Sequence, residues 1–261
     1  IAFHNYHDTM KSLPPNLIMR GPINNGDATL WSGFLLPFIE QGPLWDQIQE
    51  TGTPPGLNWD DGANNELVIL GANLPIYQCP SAPDSNQIFN DGRGVEVRYR
   101  CNYGVSISGS IGNTLPPYNS DTWQQHFDDW GATDSRYDGA FPCRENQAFG
   151  LAQITDGTAN TIFAGERTKY RSTGINDANY LYIGTGNPQD EYGRFCGSTG
   201  IQLNSLDLGQ RGRSGFSSKH PGGAQFIMGD SATVFLNENI DRMVYTALGT
   251  RSGGEAVGVP K

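Results

Sequence analysis

The chain is poor in lysine, lacks long apolar runs and carries no local motif for a metal, a phosphate or a redox pair. Only four of its 261 residues are Lys, against thirteen Arg, and the formal net charge is −10. That balance argues against nucleic acid or an anionic membrane surface as a partner, because either needs a basic face. No stretch reaches the roughly 18 consecutive apolar residues of a membrane span. There is no N-x-Ser/Thr sequon, which disfavours a heavily N-glycosylated eukaryotic surface protein. A G-x-S-x-G elbow, an H-E-x-x-H helix and a phosphate loop are also missing, and Gly184-Thr-Gly-Asn187 lacks the third glycine and the helix of a dinucleotide site. The expectation is therefore a protein with no catalytic residue or organic cofactor that can be named from motifs.

Cysteine is scarce and dispersed. Cys79, Cys101, Cys143 and Cys196 form no C-x-x-C pair, so a zinc ribbon or thioredoxin-type motif is unsupported. An even number in a loop-rich, Asp-rich chain suggests disulfides and an oxidising compartment. The simplest pairing joins Cys79 to Cys101 and Cys143 to Cys196; the other two pairings and buried free thiols stay open.

What the chain does have is Gly and Pro, 34 and 16 residues, with hydrophobic content of only 36%. Such a composition predicts turns, irregular loops and short strands in one large domain. Residues 1–11 place Phe3, Tyr6 and Met10 at helical spacing before Pro14-Pro15 end the segment. Residues 27–74 form a helical region, in which Asp27 is positioned to cap a helix through Ile39, Pro37 must kink or split it, and Pro43 to Gln49 adds a further turn or two. Residues 75–236 read as β-rich, with short extended runs at 74–78, 96–106, 161–164, 180–183 and 224–236. Residues 237–249 regain helical periodicity, with Asn237 or Asn239 as cap and Gly249 just beyond the end.

The densest signal is His220-Pro-Gly-Gly followed by two β-prone runs around Gly229-Asp230, which predicts a hairpin. At about 3.3 Å per residue, His220 and Asp230 stand near opposite ends of one strand, so each is expected to brace its own neighbourhood as a structural signature residue. Asp128, Asp129, Asp134 and Asp138 gather hard oxygen ligands in one loop, the chemistry a Ca²⁺ site requires, though without EF-hand register. His4, His7 and Asp8 are close enough along a helix to share a metal, with solvated surface histidines as the ordinary alternative. Glu166, Asp156 and Asp230 are the carboxylates from which a glycosidase pair could be drawn.

Several segments together carry a family resemblance. They are Ile1-Ala-Phe-His-Asn-Tyr-His-Asp8, Leu13-Pro-Pro15, Leu36-Pro-Phe-Ile-Glu-Gln41, Cys79-Pro-Ser81, Asn102-Tyr-Gly104, Ile154-Thr-Asp-Gly-Thr-Ala-Asn-Thr161, Gly165-Glu166, the spacing of His220 and Asp230, and Thr250-Arg-Ser-Gly-Gly-Glu255. In this order they resemble the pilin-like secreted proteins of planctomycetes grouped as a domain of unknown function, DUF1559. Ser231 departs from the pattern, which has Gly after the Asp. The resemblance implies an α+β, pilin-like or pseudopilin-like fold, with an N-terminal helix packed on a β-rich domain of long loops and a short C-terminal helix. It also implies a prepilin-type hydrophobic helix ahead of Ile1 and, with it, a bacterial protein at the cell surface, outside the cell or in the periplasm. The functional expectation is a structural subunit that self-associates into a filament or surface assembly and contacts polysaccharide; the alternative is a secreted carbohydrate-binding or carbohydrate-active protein on the same scaffold.

Overall fold

Helix α1 (Ala2–Met10) forms where the apolar spacing places it, and Phe3 and Tyr6 are buried. In the computed structural model, which describes residues 1–20, 27–50, 73–82, 88–89, 98–111, 137–142, 147–168, 183–185, 195–205, 215–255 and 257–260, the helix stops at Lys11 in the left-handed region, φ 62°. Met10, the third residue of the expected stripe, is the last residue of the helix and is exposed. Phe3 is wedged among Phe141, Phe163 and Trp31, with ring centroids at 5.1, 5.8 and 6.1 Å.

Residues 17–50 contain more extended chain than expected. Strand β1 (Leu17–Arg20) pairs antiparallel with β2 (Asp27–Leu30), so Asp27 begins a strand and does not cap a helix. Helix α2 (Trp31–Phe34) follows, with Leu30 as its N-cap. Pro37 then falls in a separate 3₁₀ turn (Leu36–Ile39), which splits the run as a ring without an N–H must, before α3 (Gly42–Glu50). Residues 74–78, expected as extended chain, are instead occupied mainly by a 3₁₀ turn (Pro75–Tyr77), whose Tyr77 hydroxyl donates to Ser32 O at 2.7 Å.

The central sheet has five strands in the order β10-β9-β6-β5-β8. Its members are β5 (Tyr103–Ser108), β6 (Ile162–Glu166), β8 (Cys196–Ser198), β9 (Gly223–Met228) and β10 (Thr233–Asn237). Neighbours are antiparallel except β5 with β8, which run parallel. Strand β2 also pairs with β7 (Gly184–Thr185), and β3 (Ile88–Phe89) pairs with β4 (Arg98–Tyr99). All of β6 is buried, which requires cover on both faces. Phe163 belongs to the hydrophobic cluster that contains Phe3 of α1. Ile162, its neighbour, belongs to a second cluster with Phe226, Tyr245 and Leu248. The second cluster lies under α4 (Arg242–Ala247), a helix shorter than residues 237–249. Its cap is Asp241, whose carboxylate accepts from the N–H groups of Met243 and Val244, while Asn237 spends its side chain on Asn239 N in the preceding turn.

The β9–β10 hairpin forms as its turn residues indicate, with an unexpected turn. Ser231 N donates to Met228 O at 2.9 Å and Met228 N to Ala232 O at 2.8 Å, enclosing a three-residue loop. That loop ends on a left-handed residue, a position that favours Gly. Ser231 occupies it at φ 72°. Gly229 serves a different purpose: a Cβ there would come within 2.7 Å of the Phe163 ring and 2.8 Å of Thr158 O.

Candidate metal centre at Cys79, Glu166 and His220

Glu166 is the last residue of β6 and is almost wholly buried, at 2% exposure. Burial of a carboxylate is costly unless its lone pairs are met. Oε2 accepts from Ser218 Oγ and from the backbone N–H of Gln225, both at 2.8 Å. Oε1 faces two other groups, the Cys79 thiol at 3.2 Å and His220 Nε2 at 3.1 Å. Cys79 Sγ and His220 Nε2 are themselves 3.9 Å apart. Among the described residues, Cys79, Glu166 and His220 form a group of potential metal ligands whose donor atoms all lie within 4.8 Å of one another.

Each member is held from outside the group. Asn102 accepts the Cys79 N–H on its side-chain oxygen at 2.8 Å and donates its own N–H to Tyr77 O at 2.7 Å, so one residue clamps the segment after the 3₁₀ turn. Asn102 O in turn accepts from Arg167 N at 2.7 Å, tying that clamp to the end of β6. Ser218 Oγ accepts from His220 N at 3.1 Å while donating to Glu166, fixing imidazole and carboxylate relative to each other. Tyr103 stands opposite Glu166 in the β5–β6 register, beside the Cys79 thiol. Burial, and then the Glu166 carboxylate, push the Cys79 thiol above its ordinary range; burial and the neighbouring acidic groups do the same to the Tyr103 phenol.

This geometry is not that of a nucleophilic triad. In such a triad the two imidazole nitrogens divide the work, one on the nucleophile and the other on the acid. Here Nε2 alone faces both Cys79 and Glu166. The thiol is also disfavoured from ionising, the opposite of what an activated cysteine needs. Three donor atoms of different softness converging on one point is instead the pattern of a ligand shell.

The expected site residues are distributed differently from their sequence reading. The proposed bridge of Cys79 with Cys101 does not form: both are free buried thiols, Cys79 turned to Glu166 and Cys101 donating to Tyr103 O at 3.2 Å. Cys196 is buried in β8, and its proposed partner Cys143 lies outside the described residues. Asp128, Asp129 and Asp134 also lie outside them. Asp138 is described, and its carboxylate is committed to protein donors: Oδ1 accepts from Ser108 Oγ and Gly109 N at 2.8 Å each, and Oδ2 from Ser110 Oγ. Burial raises its pKa.

His220 and Asp230 stand beyond opposite ends of β9. Asp230 Oδ1 accepts Ala232 N at 2.9 Å within the hairpin turn, whereas His220 reaches out of the hairpin to Glu166. His4 Nε2 lies 2.8 Å from Gly229 O and His7 Nε2 accepts from Leu151 N at 3.2 Å, so the two imidazoles serve separate neighbours. Asp156 holds the chain near Gly253, Asp230 caps a turn and Glu166 lies in the cluster, so these three carboxylates act at three different places. The missed feature was the convergence of Cys79, Glu166 and His220. The available signal was that Cys79-Pro-Ser81, Asn102-Tyr-Gly104, Gly165-Glu166 and His220 all carry the family resemblance, and all four meet here.

The protein is thus a mixed α+β fold built on an antiparallel-rich sheet, with a Cys–Glu–His cluster of two buried residues and one half-buried at one end of β6. Residues 1–243 match the family described as "Protein of unknown function (DUF1559)", and the chain belongs to that family. No curated protein and no solved structure matches it. Among the described residues, no helix is long and apolar enough to cross a membrane.

Proposed function

We propose that the protein is a pilin-like or pseudopilin-like subunit displayed outside a bacterial cell. It self-associates or is held at the surface through a hydrophobic helix leading into α1. The observation that carries this reading is the seat of α1: Phe3 packs edge-on against Phe163 of the central strand β6 at 5.8 Å, and Tyr6 against Phe38 at 5.3 Å. A helix anchored by aromatic rings to the middle of a sheet transmits a load into the domain through buried area, at about 1.5–3 kcal/mol for each large apolar side chain removed from water. The loops of the β-rich region then make the contacts with other subunits or polysaccharide.

The test is the processing and state of the full-length gene product in its native host. A prepilin-type leader cleaved to an N-methylated residue, and cross-linking of the surface fraction into multimers, are the expected results. An ordinary signal peptide with a monomeric product in the medium would defeat the proposal.

A further inference from the structure

We propose that Cys79 Sγ, Glu166 Oε1 and His220 Nε2 bind one borderline divalent metal ion of the zinc class. The site stands whether or not the domain assembles, since it is built wholly within one chain.

Distances, charge and support favour it. Zn–S bonds of about 2.3 Å and Zn–N or Zn–O bonds of about 2.0 Å, at tetrahedral angles, place ligand atoms about 3.3–3.6 Å apart. The observed separations of 3.1, 3.2 and 3.9 Å bracket that range, so small side-chain adjustments suffice. Thiolate and carboxylate together carry two negative charges, which a dication neutralises inside a site where Cys79 and Glu166 are each 2% exposed. On binding, the thiol proton passes to solvent and the sulfur electron pair to the ion.

The donor set selects the class. One sulfur, one imidazole nitrogen and one carboxylate oxygen suit zinc and its neighbours, while Ca²⁺ and Mg²⁺ demand shells made of oxygen. His220, with a side chain 29% exposed, is the ligand in contact with solvent, and it marks the side from which an ion enters. Ser218 and Gln225 hold the other carboxylate oxygen, as outer partners orient metal-bound carboxylates. Three protein ligands leave a fourth position for water or another small ligand, the pattern of an open zinc site.

The experiment uses the whole chain, reduced, stripped with chelator and checked for folding by circular dichroism. Zn²⁺ is titrated calorimetrically and Co²⁺ by absorption. One ion per chain, together with a thiolate-to-cobalt charge-transfer band, is expected. Cys79→Ser should abolish the band, His220→Gln should weaken Zn²⁺ binding at least about 100-fold, and Ser218→Ala, a positioning change, about 10-fold. Cys101→Ala should leave the affinity as it is. Should Cys79→Ser fail to fold, His220→Gln at the partly exposed ligand still decides the matter. A folded wild-type chain that takes up no Zn²⁺, a cobalt spectrum without the thiolate band, or binding unaffected by His220→Gln would each show a hydrogen-bonded buried carboxylate only and overturn the site.

Discussion

Asp156 and Gly253, 97 residues apart in sequence, are joined by a 2.7 Å hydrogen bond from the Gly253 N–H to Oδ2. The same carboxylate accepts Gly254 N at 2.9 Å on Oδ1 and Thr250 Oγ1 at 3.1 Å on Oδ2. Asp156 lies in the turn region before β6, and its side chain captures the segment that follows α4. Charge-assisted bonds of this kind each contribute about 1.5–3 kcal/mol at most, less where water competes. Asp156→Ala is expected to cost about 2 kcal/mol in urea unfolding and to expose the 250–255 segment to protease, with Asp156→Asn intermediate. A midpoint unchanged from wild type would show that the contact holds nothing.

Ser231 in the left-handed region predicts a stabilising substitution. A side chain at positive φ costs about 1–2 kcal/mol relative to its preferred conformations, and glycine avoids most of that at some expense in unfolded-state entropy. Ser231→Gly should therefore raise stability by about 1 kcal/mol, measured by chemical denaturation. A loss of stability would show that the Ser231 side chain contributes more than its backbone strain takes away.

Gly165, immediately before Glu166, leaves room for two aromatic rings. A Cβ there would lie 2.5 Å from Phe226 and 2.8 Å from Phe216. Those rings pack against each other with centroids 5.2 Å apart, so they have little freedom to withdraw. Gly165→Ala should destabilise by about 1–3 kcal/mol, the usual cost of overpacking a core. A thermal midpoint equal to that of wild type would contradict the close packing over this strand.

The buried thiols and phenols set a direction for alkaline pH. Burial raises Cys101 from 9.0 to about 12 and raises Cys79, Tyr103 and Tyr245 as well. A group whose folded pKa lies above its unfolded value keeps its proton longer in the native state. Its stabilisation is then complete below the unfolded pKa and is lost as pH rises toward the folded one. For reduced, metal-free protein the thermal midpoint should hold at neutral pH and fall from about pH 9 upward, with a shallower fall in Cys101→Ala. A flat profile between pH 8 and 10.5 would refute this.

Local chemistry was sufficient for the elements whose cause is local. The spacing of Phe3 and Tyr6 places α1, Pro37 divides the following helical run, and the turn residues around Asp230 make a hairpin, because helix period, ring constraint and turn preference act within a few residues. Asp27 and Asp241 show where such reading fails. Both are good cap residues, but strand pairing with β1 claims the first, and only the second has an unpaired helix end to serve. The site was less legible than the fold. Cys79, Glu166 and His220 are separated by 87 and 54 residues, and no period or short motif spans such distances. Residue type alone left Cys79 open to a disulfide, Glu166 to an acid pair and His220 to a turn. Only the order β10-β9-β6-β5-β8 brings the end of β6 beside the start of β9 and the clamp at Asn102, and strand order is decided by long-range burial of both sheet faces, not by any local preference.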